Sequence, residues 1–403
     1  MSEAVANLRD PATIRARAGN LARAVAAGES PWFTVDESRL DVAAAKVVAV
    51  TLARYPTLAI PYHSRWRHFE AGGVDRAGEL SMALAGLDRG EQARSRIDLA
   101  IVSVLLDAGA GPGWAYVDGG VRYGRSEGLG VASFRAFMAG AFSSDPAQPL
   151  KVDGLALQGL DSARLAQLFQ VGDDNPLIGL DGRAELLRRF GAALLAQPPA
   201  FGSAGRPGGL FDLLTDHGRS ERIEAAALLR ALLDHTSDIW LTGNQLDGAS
   251  LGDVWPHPLA GGDGASTGWM PFHKLSQWLV YSLFEPFEWA GVTIAGRDAL
   301  TGLPEYRNGG LLLDSGVIAL RDPAFASRQW RAGDALIVEW RALTVHLIDV
   351  IADRVRALLG RTADELPLAC VLEGGTWAAG RVLAAELRGG LPPLNIVSDG
   401  TVF

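Results

Sequence analysis

Apolar residues recur at three- and four-residue spacing along most of the chain, which is the period of a helix with one buried face. Glycine or proline follows several of these segments, as at Gly28 and Pro56, and marks where a helix should end. The last two segments below should be the most buried helices of the second half, since the final one is apolar on nearly every side. The pattern predicts helices over LRDPATIRARAGNLARAVAAG, DVAAAKVVAVTLARYP, GEQARSRIDLAIVSVLLDAGAG, DSARLAQLFQ, DGRAELLRRFGAALLAQ, RSERIEAAALLRALLDH, FHKLSQWLVYSLFEPFEWAG and DALIVEWRALTVHLIDVIADRVRALLG.

Signals for β-strands are sparse. The apolar runs LACVLEGG and PPLNIVSDGTVF predict short β-like segments, which are too few for a doubly wound sheet. We therefore expect a mainly α protein with a few short β-strands. Breaks rich in Gly and Pro fall at residues 143–149 and 197–209, and the first is the better boundary. We expect an N-terminal helical lobe over 1–148 that contributes to the pocket, and a helical lobe over 149–403 with a short C-terminal β-like segment.

Charge and cysteine content narrow the classes of partner. The 403 residues include 37 Lys and Arg against 46 Asp and Glu, with no basic run of the kind that binds nucleic acid polymers. Cys370 is the only cysteine, so no disulfide within the chain and no cysteine-based metal cluster can form. Apolar runs are too short to span a bilayer, and the start of the chain lacks a secretory pattern. We expect a cytoplasmic protein, monomeric or a small homo-oligomer, without membrane or nucleic acid partners.

The first polar cluster is IPYHSRWRHFEAGGVDR, which contains His63, Arg67 and His68. The two histidines are five residues apart, which does not suit two metal ligands on one helical face, and the chain has no HExxH pattern. We therefore expect neither a metal nor another cofactor. Two interpretations stay open: a loop whose arginines pair with nearby acids and whose Trp66 anchors it to the core, or a binding segment that uses His63 and Arg67.

The second cluster is YGRSEGLGVASF. Ser126 and Glu127 precede a helical run, so the simpler interpretation is that Ser126 caps the helix and Glu127 complements its dipole. A functional interpretation uses the exposed helix start and Arg125 to hold an anion.

The third cluster joins a helix to a glycine-bordered segment. Lys274, Gln277 and Tyr281 lie along one stripe of the predicted helix FHKLSQWLVYSLFEPFEWAG. In GRDALTGLPEYRNGG, glycines on both sides of Glu305 and Arg307 predict a bent backbone that directs both side chains to the same side. Glu305 would face a developing cation and Arg307 an anion on the same substrate. The alternative is a mutual ion pair that fixes the turn.

Nucleophilic acyl transfer is disfavoured, because the chain has no GxSxG motif and Cys370 lies in an apolar run. The sequence instead offers carboxylates beside glycines, which suit acid–base or cation-stabilising roles. They are Glu127, Glu305, Asp314, Glu373 and Asp399.

Several long motifs resemble the family that contains uracil catabolism protein four of yeasts. They are YPTLAIPYHSRWRHFEAGGVDR, GRSEGLGVASFRAF, LEGGTWAAGR and the terminal SDGTVF, which together span nearly the whole chain. The resemblance implies a place in a pathway that opens the pyrimidine ring while it is still attached to ribose.

FHKLSQWLVYSLFEPFE, LTGLPEYRNGGLLLDSGV and VEWRALTVHLIDVI are similar in order and spacing to segments of queuosine salvage proteins. That family cleaves the N-glycosidic bond of queuosine 5'-phosphate on a helical, DNA-glycosylase-like scaffold of the helix-hairpin-helix type. The resemblance implies a glycosidase-like second lobe with Glu305 in place of the family's Asp. Ser282 stands where the family has a second Asp, which is a departure from its pattern.

The two resemblances together imply hydrolysis of the N-glycosidic bond of ribosylurea, or of its 5'-phosphate, to urea and ribose or ribose phosphate. Such a reaction passes through an oxocarbenium-like transition state that a fixed carboxylate stabilises. We assign Glu305, Tyr281 and Glu127 to catalysis, with Tyr281, Lys274 or a protonated histidine as proton donor to the urea. The residues expected to bind the substrate or its phosphate are Arg307, Lys274, Arg125, His63, Arg67 and Asp399.

Two alternatives come from other classes. An amidohydrolase would attack the ureido or ring amide bond directly, and it normally needs a metal or a strong nucleophile. A non-catalytic protein that channels an intermediate between pathway enzymes would instead present an exposed apolar patch.

Overall fold

The computed structural model describes residues 2–397, and helices make up most of it. The predicted mainly α class with a few short strands is confirmed, while the DNA-glycosylase-like character stays a prediction. The helices are α1 Glu3–Leu8, α2 Pro11–Ala26, α3 Leu40–Arg54, α4 Arg65–Phe69, α5 Arg76–Ala83, α6 Arg89–Leu105, α7 Arg125–Met138, α8 Gly154–Gln158, α9 Ser162–Leu168, α10 Leu180–Leu195, α11 Pro198–Phe201, α12 Gly209–Thr215, α13 Ala225–Thr236, α14 Lys274–Trp289, α15 Tyr306–Asp314, α16 Ala335–Leu359, α17 Leu368–Val371 and α18 Trp377–Arg388.

The strands are short and form separate two-stranded pairs. β1 pairs with β10, β2 with β3, β5 with β6 and β7 with β8 in antiparallel fashion, while β4 pairs with β9 and β11 with β12 in parallel. Their bounds are β1 Phe33–Val35, β2 Ala115–Asp118, β3 Val121–Gly124, β4 Arg222–Glu224, β5 Gln245–Leu246, β6 Ala249–Ser250, β7 Val254–Pro256, β8 Trp269–Pro271, β9 Thr293–Ala295, β10 Ile318–Leu320, β11 Gln329–Trp330 and β12 Asn395–Ile396.

The described residues divide into two compact units. The first unit comprises residues 2–63, Asn244–Gln277 and Gly296–Val397, and the second comprises Ser64–Gly243 and Trp278–Ala295. The first turn of helix α14 therefore belongs to the first unit, and the rest of the helix belongs to the second. The lobes expected on either side of residue 148 stay a prediction.

The first unit is organised around α16. Residues 336–345 of this helix are all buried, so the helix is covered on every side, as its apolar pattern predicts. It packs against α2, α3 and α15. At the α15 contact, a Cβ added to Gly309 would lie 2.6 Å from the Trp340 ring, whose Nε1 donates to the Gly309 carbonyl oxygen at 3.2 Å. Glycine at this position allows the two helices to approach closely.

A buried ion pair fixes where α14 begins. Arg341 of α16 donates from Nη1 and Nη2 to the two carboxylate oxygens of Asp253, at 2.8 and 2.7 Å. The same carboxylate accepts the backbone N–H of Lys274, the first residue of α14. Burial would raise the pKa of Asp253, but Arg341 and the N–H donors outweigh burial and lower it to about 2. Lys274 is thus placed by a charged contact in the core.

The second unit is built on α6, α7 and the short helix α4, which pack against one another. Trp66 is 1% exposed and donates from Nε1 to the Ser282 carbonyl oxygen at 2.9 Å, so it anchors α4 to the core as one interpretation of its segment expected. That segment is helical over Arg65–Phe69 rather than a loop. β2 and β3 form a hairpin whose two turn residues, Gly119 and Gly120, both have positive φ, as a tight hairpin turn requires.

Two sequence predictions of local structure are wrong. LACVLEGG is helical, because it forms α17 and then a π-helical turn, Leu372–Thr376, that leads directly into α18. The segment is buried on all sides and so shows no helical periodicity, which made it resemble a strand. Of PPLNIVSDGTVF, only Asn395–Ile396 is a strand, and residues 398–403 lie outside the described part.

The second wrong prediction concerns PEYRNGG. Glu305 caps α15, and Arg307, Asn308 and both glycines belong to that helix rather than to a bent turn. Gly309 is needed for close packing against Trp340 rather than for a bend in the backbone. None of the helices within residues 2–397 has the length and apolar character needed to cross a lipid bilayer.

A buried glutamate in α16 should make the stability of the protein depend on pH. Glu339 is completely buried, accepts a hydrogen bond from the Ser30 hydroxyl, and has its second oxygen 3.7 Å from His257 Nε2. Burial raises the pKa of Glu339 to about 7 from an ordinary 4.5, and burial lowers the pKa of His257 to about 4. Between the ordinary pKa of 4.5 and a pH of about 7, Glu339 is therefore protonated in the folded protein and ionised in the unfolded chain.

We predict that Glu339→Gln increases the free energy of unfolding relative to wild type as pH rises from about 5 to about 8. A raised carboxyl pKa stabilises the folded state less and less as pH climbs from the unfolded to the folded pKa. At roughly 1.4 kcal/mol per pKa unit, the change is on the order of 3 kcal/mol. Urea unfolding across this range measures it, with the exposed Glu29→Gln as matched control. A difference between Glu339→Gln and wild type that does not change with pH would contradict the prediction.

Candidate functional site

The π-helical turn Leu372–Thr376 places Glu373 in the first unit. A Cβ added to Gly375 would lie 2.4 Å from Thr51 Oγ1 and 2.6 Å from the Val47 carbonyl oxygen, so glycine lets the turn sit directly on α3. Arg54, at the end of α3, donates from Nη1 to the carbonyl oxygens of Glu373 and Gly374. π-helical turns within helices occur often at functional sites. Close packing and Arg54 together hold this turn in place.

Three side chains make polar contacts with the Glu373 carboxylate. Oε1 accepts from Arg54 Nη2 at 2.8 Å and from the Tyr55 hydroxyl at 3.1 Å, and Oε2 lies 3.0 Å from His63 Nδ1. Both Glu373 and His63 are 8% exposed. Burial would raise the pKa of Glu373, but the hydrogen bonds and charges of His63 and Arg54 outweigh burial and lower it to about 2. Glu373 is therefore a permanent anion at neutral pH.

A second carboxylate, Glu305, caps α15. Its two oxygens accept the backbone N–H groups of Arg307 and Asn308, at 2.6 and 2.5 Å, which holds the side chain in one orientation. Burial raises the pKa of Glu305, although these N–H groups and the charges of Lys274 and His63 act in the opposite direction. The residue nevertheless keeps partial exposure to solvent. Glu305, Lys274 and His63 are thus close enough for their charges to interact, and the structure brings these three sequence-predicted residues together.

Arg307 does not form the ion pair with Glu305 that one interpretation of the sequence expected. The carboxylate is bound by the backbone N–H of Arg307, while the guanidinium donates from Nη2 to the Gly390 carbonyl oxygen at 3.1 Å. Arg307 is 3% exposed, and its Nε and Nη1 have no hydrogen-bond partner among the described residues. Two buried N–H groups without a partner are costly and give this side chain capacity to bind an anion.

Further aromatic and cationic side chains lie beside His63 and at the start of α18, directly after the π-helical turn. Arg297 donates to the Tyr62 hydroxyl and lies over the Tyr62 ring. Arg381 lies over the Trp377 ring at 5.1 Å, and the Trp377 ring is 6.3 Å from that of His63. The first unit thus combines two fixed carboxylates, an imidazole, aromatic faces and several guanidinium groups. Such a set can bind a polar, anionic small molecule and exchange protons with it.

The other sequence-predicted residues lie in the second unit or outside the described part. Tyr281 is completely enclosed and packs edge-on against Phe284, which favours the interpretation as a core aromatic. Arg67 donates to Glu285 at 2.7 Å and to Glu70 at 3.3 Å, as the ion-pair interpretation of its segment expected. Asp399 lies outside the described residues.

The remaining two, Arg125 and Glu127, are in the first turn of α7. Gly124, rather than Ser126, occupies the N-cap position, and Arg125 has a positive φ of 53°. Glu127 acts electrostatically on the buried guanidinium of Arg65. The binding and catalytic roles assigned to the residues of the second unit stay predictions.

Sequence reasoning missed six members of the candidate site: Arg54, Tyr55, Tyr62, Arg297, Trp377 and Arg381. Arg54 and Tyr55 looked like the ordinary polar end of a helix before Pro56. Their partner Glu373 was identified as a carboxylate beside glycines, but more than 300 residues separate it from them along the chain. The one sequence signal was the pair of glycines after Glu373, which marks a close backbone approach. Within residues 2–397, no three His, Cys, Asp or Glu side chains form a group that could ligate a metal ion.

The fold and these contacts define a mainly helical protein with a buried, charge-rich cluster of side chains in its first unit. The chain belongs to the family described as "Protein of unknown function (DUF1688)", whose model matches residues 7–403. It is similar to Protein urg3 of Schizosaccharomyces pombe, with 40% identity over 413 residues that cover all of both chains. It is also similar to Uracil catabolism protein 4 of Lachancea kluyveri, with 39% identity over 411 residues and 93% of each chain. These matches confirm the family resemblance noted in the sequence.

The packing of the π-helical turn leads to a stability prediction. We expect Gly375→Ala to destabilise the protein by about 1–3 kcal/mol, because the new methyl group would overlap α3 backbone that cannot easily move. Gly86→Ala is the matched control, since no atom lies within 4 Å of a Cβ built there. Urea unfolding of both variants measures the difference. Equal stability of the two variants would show that the turn does not depend on this close contact.

Proposed function

We propose that the protein acts in uracil catabolism, as a hydrolase that cleaves the N-glycosidic bond of ribosylurea or ribosylurea 5'-phosphate. The name of the Lachancea kluyveri relative is that of a uracil catabolism protein, which supports the pathway. The finer assignment rests on the site. The observation that carries it is the Glu305 carboxylate, held by two backbone N–H groups beside Lys274 and His63.

N-glycoside hydrolysis develops positive charge at C1' of the ribose as the bond to nitrogen breaks. A carboxylate that is already oriented stabilises this charge without reorganising during the reaction. The Glu305 oxygens are fixed by the first turn of α15, and partial exposure leaves the residue accessible. Glu305 therefore suits stabilisation of the cation, or orientation of the attacking water.

The surrounding cations suit a phosphorylated substrate. Lys274 lies near Glu305, Arg297 and Arg381 are placed against aromatic rings, and Arg307 has two N–H groups without a partner among the described residues. Guanidinium groups match the geometry of phosphate oxygens. We infer that the 5'-phosphate form is the preferred substrate and that these residues, with Tyr62 and Trp377, hold the ribose phosphate.

The direct test is release of urea and reducing sugar from ribosylurea and from ribosylurea 5'-phosphate. We expect wild type to hydrolyse both and to prefer the phosphate. Glu305→Gln should lower kcat by about 10²–10³-fold with little change in KM, because it removes charge that acts mainly in the transition state. Glu386→Gln, at an exposed position of α18, is the matched control and should retain full activity. Release of ammonia without urea would favour an amidohydrolase, and no turnover at all would favour a channelling partner.

The raised pKa of Glu305 should be visible in the pH profile. If the ionised form is required, kcat/KM falls as pH drops through the pKa of Glu305. Because burial raises that pKa above the ordinary 4.5, the midpoint of this acidic limb should lie above 4.5. Initial rates with ribosylurea 5'-phosphate between about pH 4 and pH 8 would locate it. Activity that stayed constant down to pH 4.5 would contradict the requirement for ionised Glu305.

A further inference from the structure

Glu373 is buried and charged, and the reaction proposed above assigns no role to it. Arg54 and Tyr55 occupy one of its oxygens and His63 the other. A carboxylate held in this way takes up a proton only in strong acid, so it is a poor general base near neutral pH. Its geometry instead suits the orientation of a neighbour.

That neighbour is His63, which is fixed at two points. Its backbone N–H donates to the Ala369 carbonyl oxygen at 2.9 Å, and its Nδ1 faces Glu373 Oε2 at 3.0 Å. An imidazole whose Nδ1–H donates to a carboxylate has a defined ring orientation and tautomer. In such an arrangement the opposite nitrogen, Nε2, is the atom used for proton transfer.

Helix α15, which Glu305 caps, packs against the π-helical turn that carries Glu373, and the charge of His63 acts on the Glu305 carboxylate. The imidazole and this carboxylate therefore belong to one cluster of the first unit. The two groups are suited to different halves of the reaction. Glu305 suits the ribose side, where positive charge develops, whereas a protonated imidazole suits the urea side, where negative charge develops on nitrogen.

We propose that His63 is the general acid that protonates the departing urea, and that Glu373 is the positioning residue that orients His63. The proposal rests on the N-glycosidase function proposed above and adds the group that handles the leaving-group proton. Tyr281, which the sequence suggested for this role, is completely buried.

The bond between C1' and the urea nitrogen breaks, and its electron pair stays on that nitrogen, which takes the proton from His63 Nε2. Water adds to C1' opposite the departing urea and loses a proton, which restores the imidazolium through solvent or Glu305. The products are urea and ribose phosphate, with no oxidant, reductant or co-reactant besides water.

The test compares two leaving groups in the full-length protein. Ribosylurea 5'-phosphate needs a proton on its leaving group, whereas 4-nitrophenyl riboside 5'-phosphate releases a nitrophenolate that needs none. With the urea substrate, we expect His63→Gln to lower kcat by about 10²–10⁴-fold and Glu373→Gln by about 10²-fold, with KM nearly unchanged. With the nitrophenyl substrate, wild type should be active and both variants should stay within about threefold of it.

Glu386→Gln is the control that should leave both rates unchanged, and thermal unfolding identifies any variant that fails to fold. If Glu373→Gln does not fold, His63→Gln alone still distinguishes the two substrates. Equal losses on both substrates, or no loss on the urea substrate, would overturn the assignment of His63. So would a wild type that cleaves ribosylurea 5'-phosphate but not the nitrophenyl substrate. A wild type inactive on both would overturn the N-glycosidase function itself, so the two failures are distinguishable.

Discussion

The buried Glu373 carboxylate needs polar partners, and the candidate site depends on this constraint. A carboxylate buried without partners costs several kcal/mol, and removing one partner of a buried ion pair is more damaging than never having built the pair. The charge is tolerated here because Arg54, Tyr55 and His63 arrive from two other segments of the first unit. The end of α3, the segment at His63 and the π-helical turn are therefore held together as one unit of structure. The imidazole and its orientation follow from that arrangement.

Helix positions that have periodic apolar residues and local stop signals could be predicted from the sequence. α2 begins at Pro11 and ends just before Gly28, and Asp161 caps α9 as its position before an apolar run indicates. These features depend on residues within a few positions of each other, so the sequence alone contains the information. The complete burial of the middle of α16 was likewise indicated by apolar residues on nearly every side.

The errors arose where a glycine allows two helical segments to pack closely instead of bending its own segment. Gly309 admits the Trp340 ring, and Gly375 admits the α3 backbone, so both lie inside helical structure. From sequence alone they resembled breaks, because glycine lowers helix propensity by about 1 kcal/mol. Which helix lies opposite a glycine depends on contacts between residues far apart in the chain. The same limit explains why Glu305 and Lys274 were identified as members of the site while Arg54 and Tyr55 were missed.

Under the proposed function, the site would supply two requirements of N-glycoside hydrolysis, a fixed anion for the sugar and a proton for the leaving group. Glu305 is oriented by the first turn of a helix, and His63 is oriented by a buried carboxylate, so neither depends on a mobile side chain. Preorganisation of this kind lowers the barrier because the groups are already placed before charge develops. A metal or a covalent nucleophile is not needed for this chemistry.

The position of bond cleavage is the central claim, and isotope labelling tests it directly. Wild-type protein would hydrolyse ribosylurea 5'-phosphate in water labelled with oxygen-18, with immediate borohydride reduction to prevent exchange at C1 of the released sugar. The account predicts one labelled oxygen on C1 of the ribose phosphate and unlabelled urea by mass spectrometry. Ammonia and carbon dioxide in place of urea would contradict it and show that the amide bond is the one cleaved.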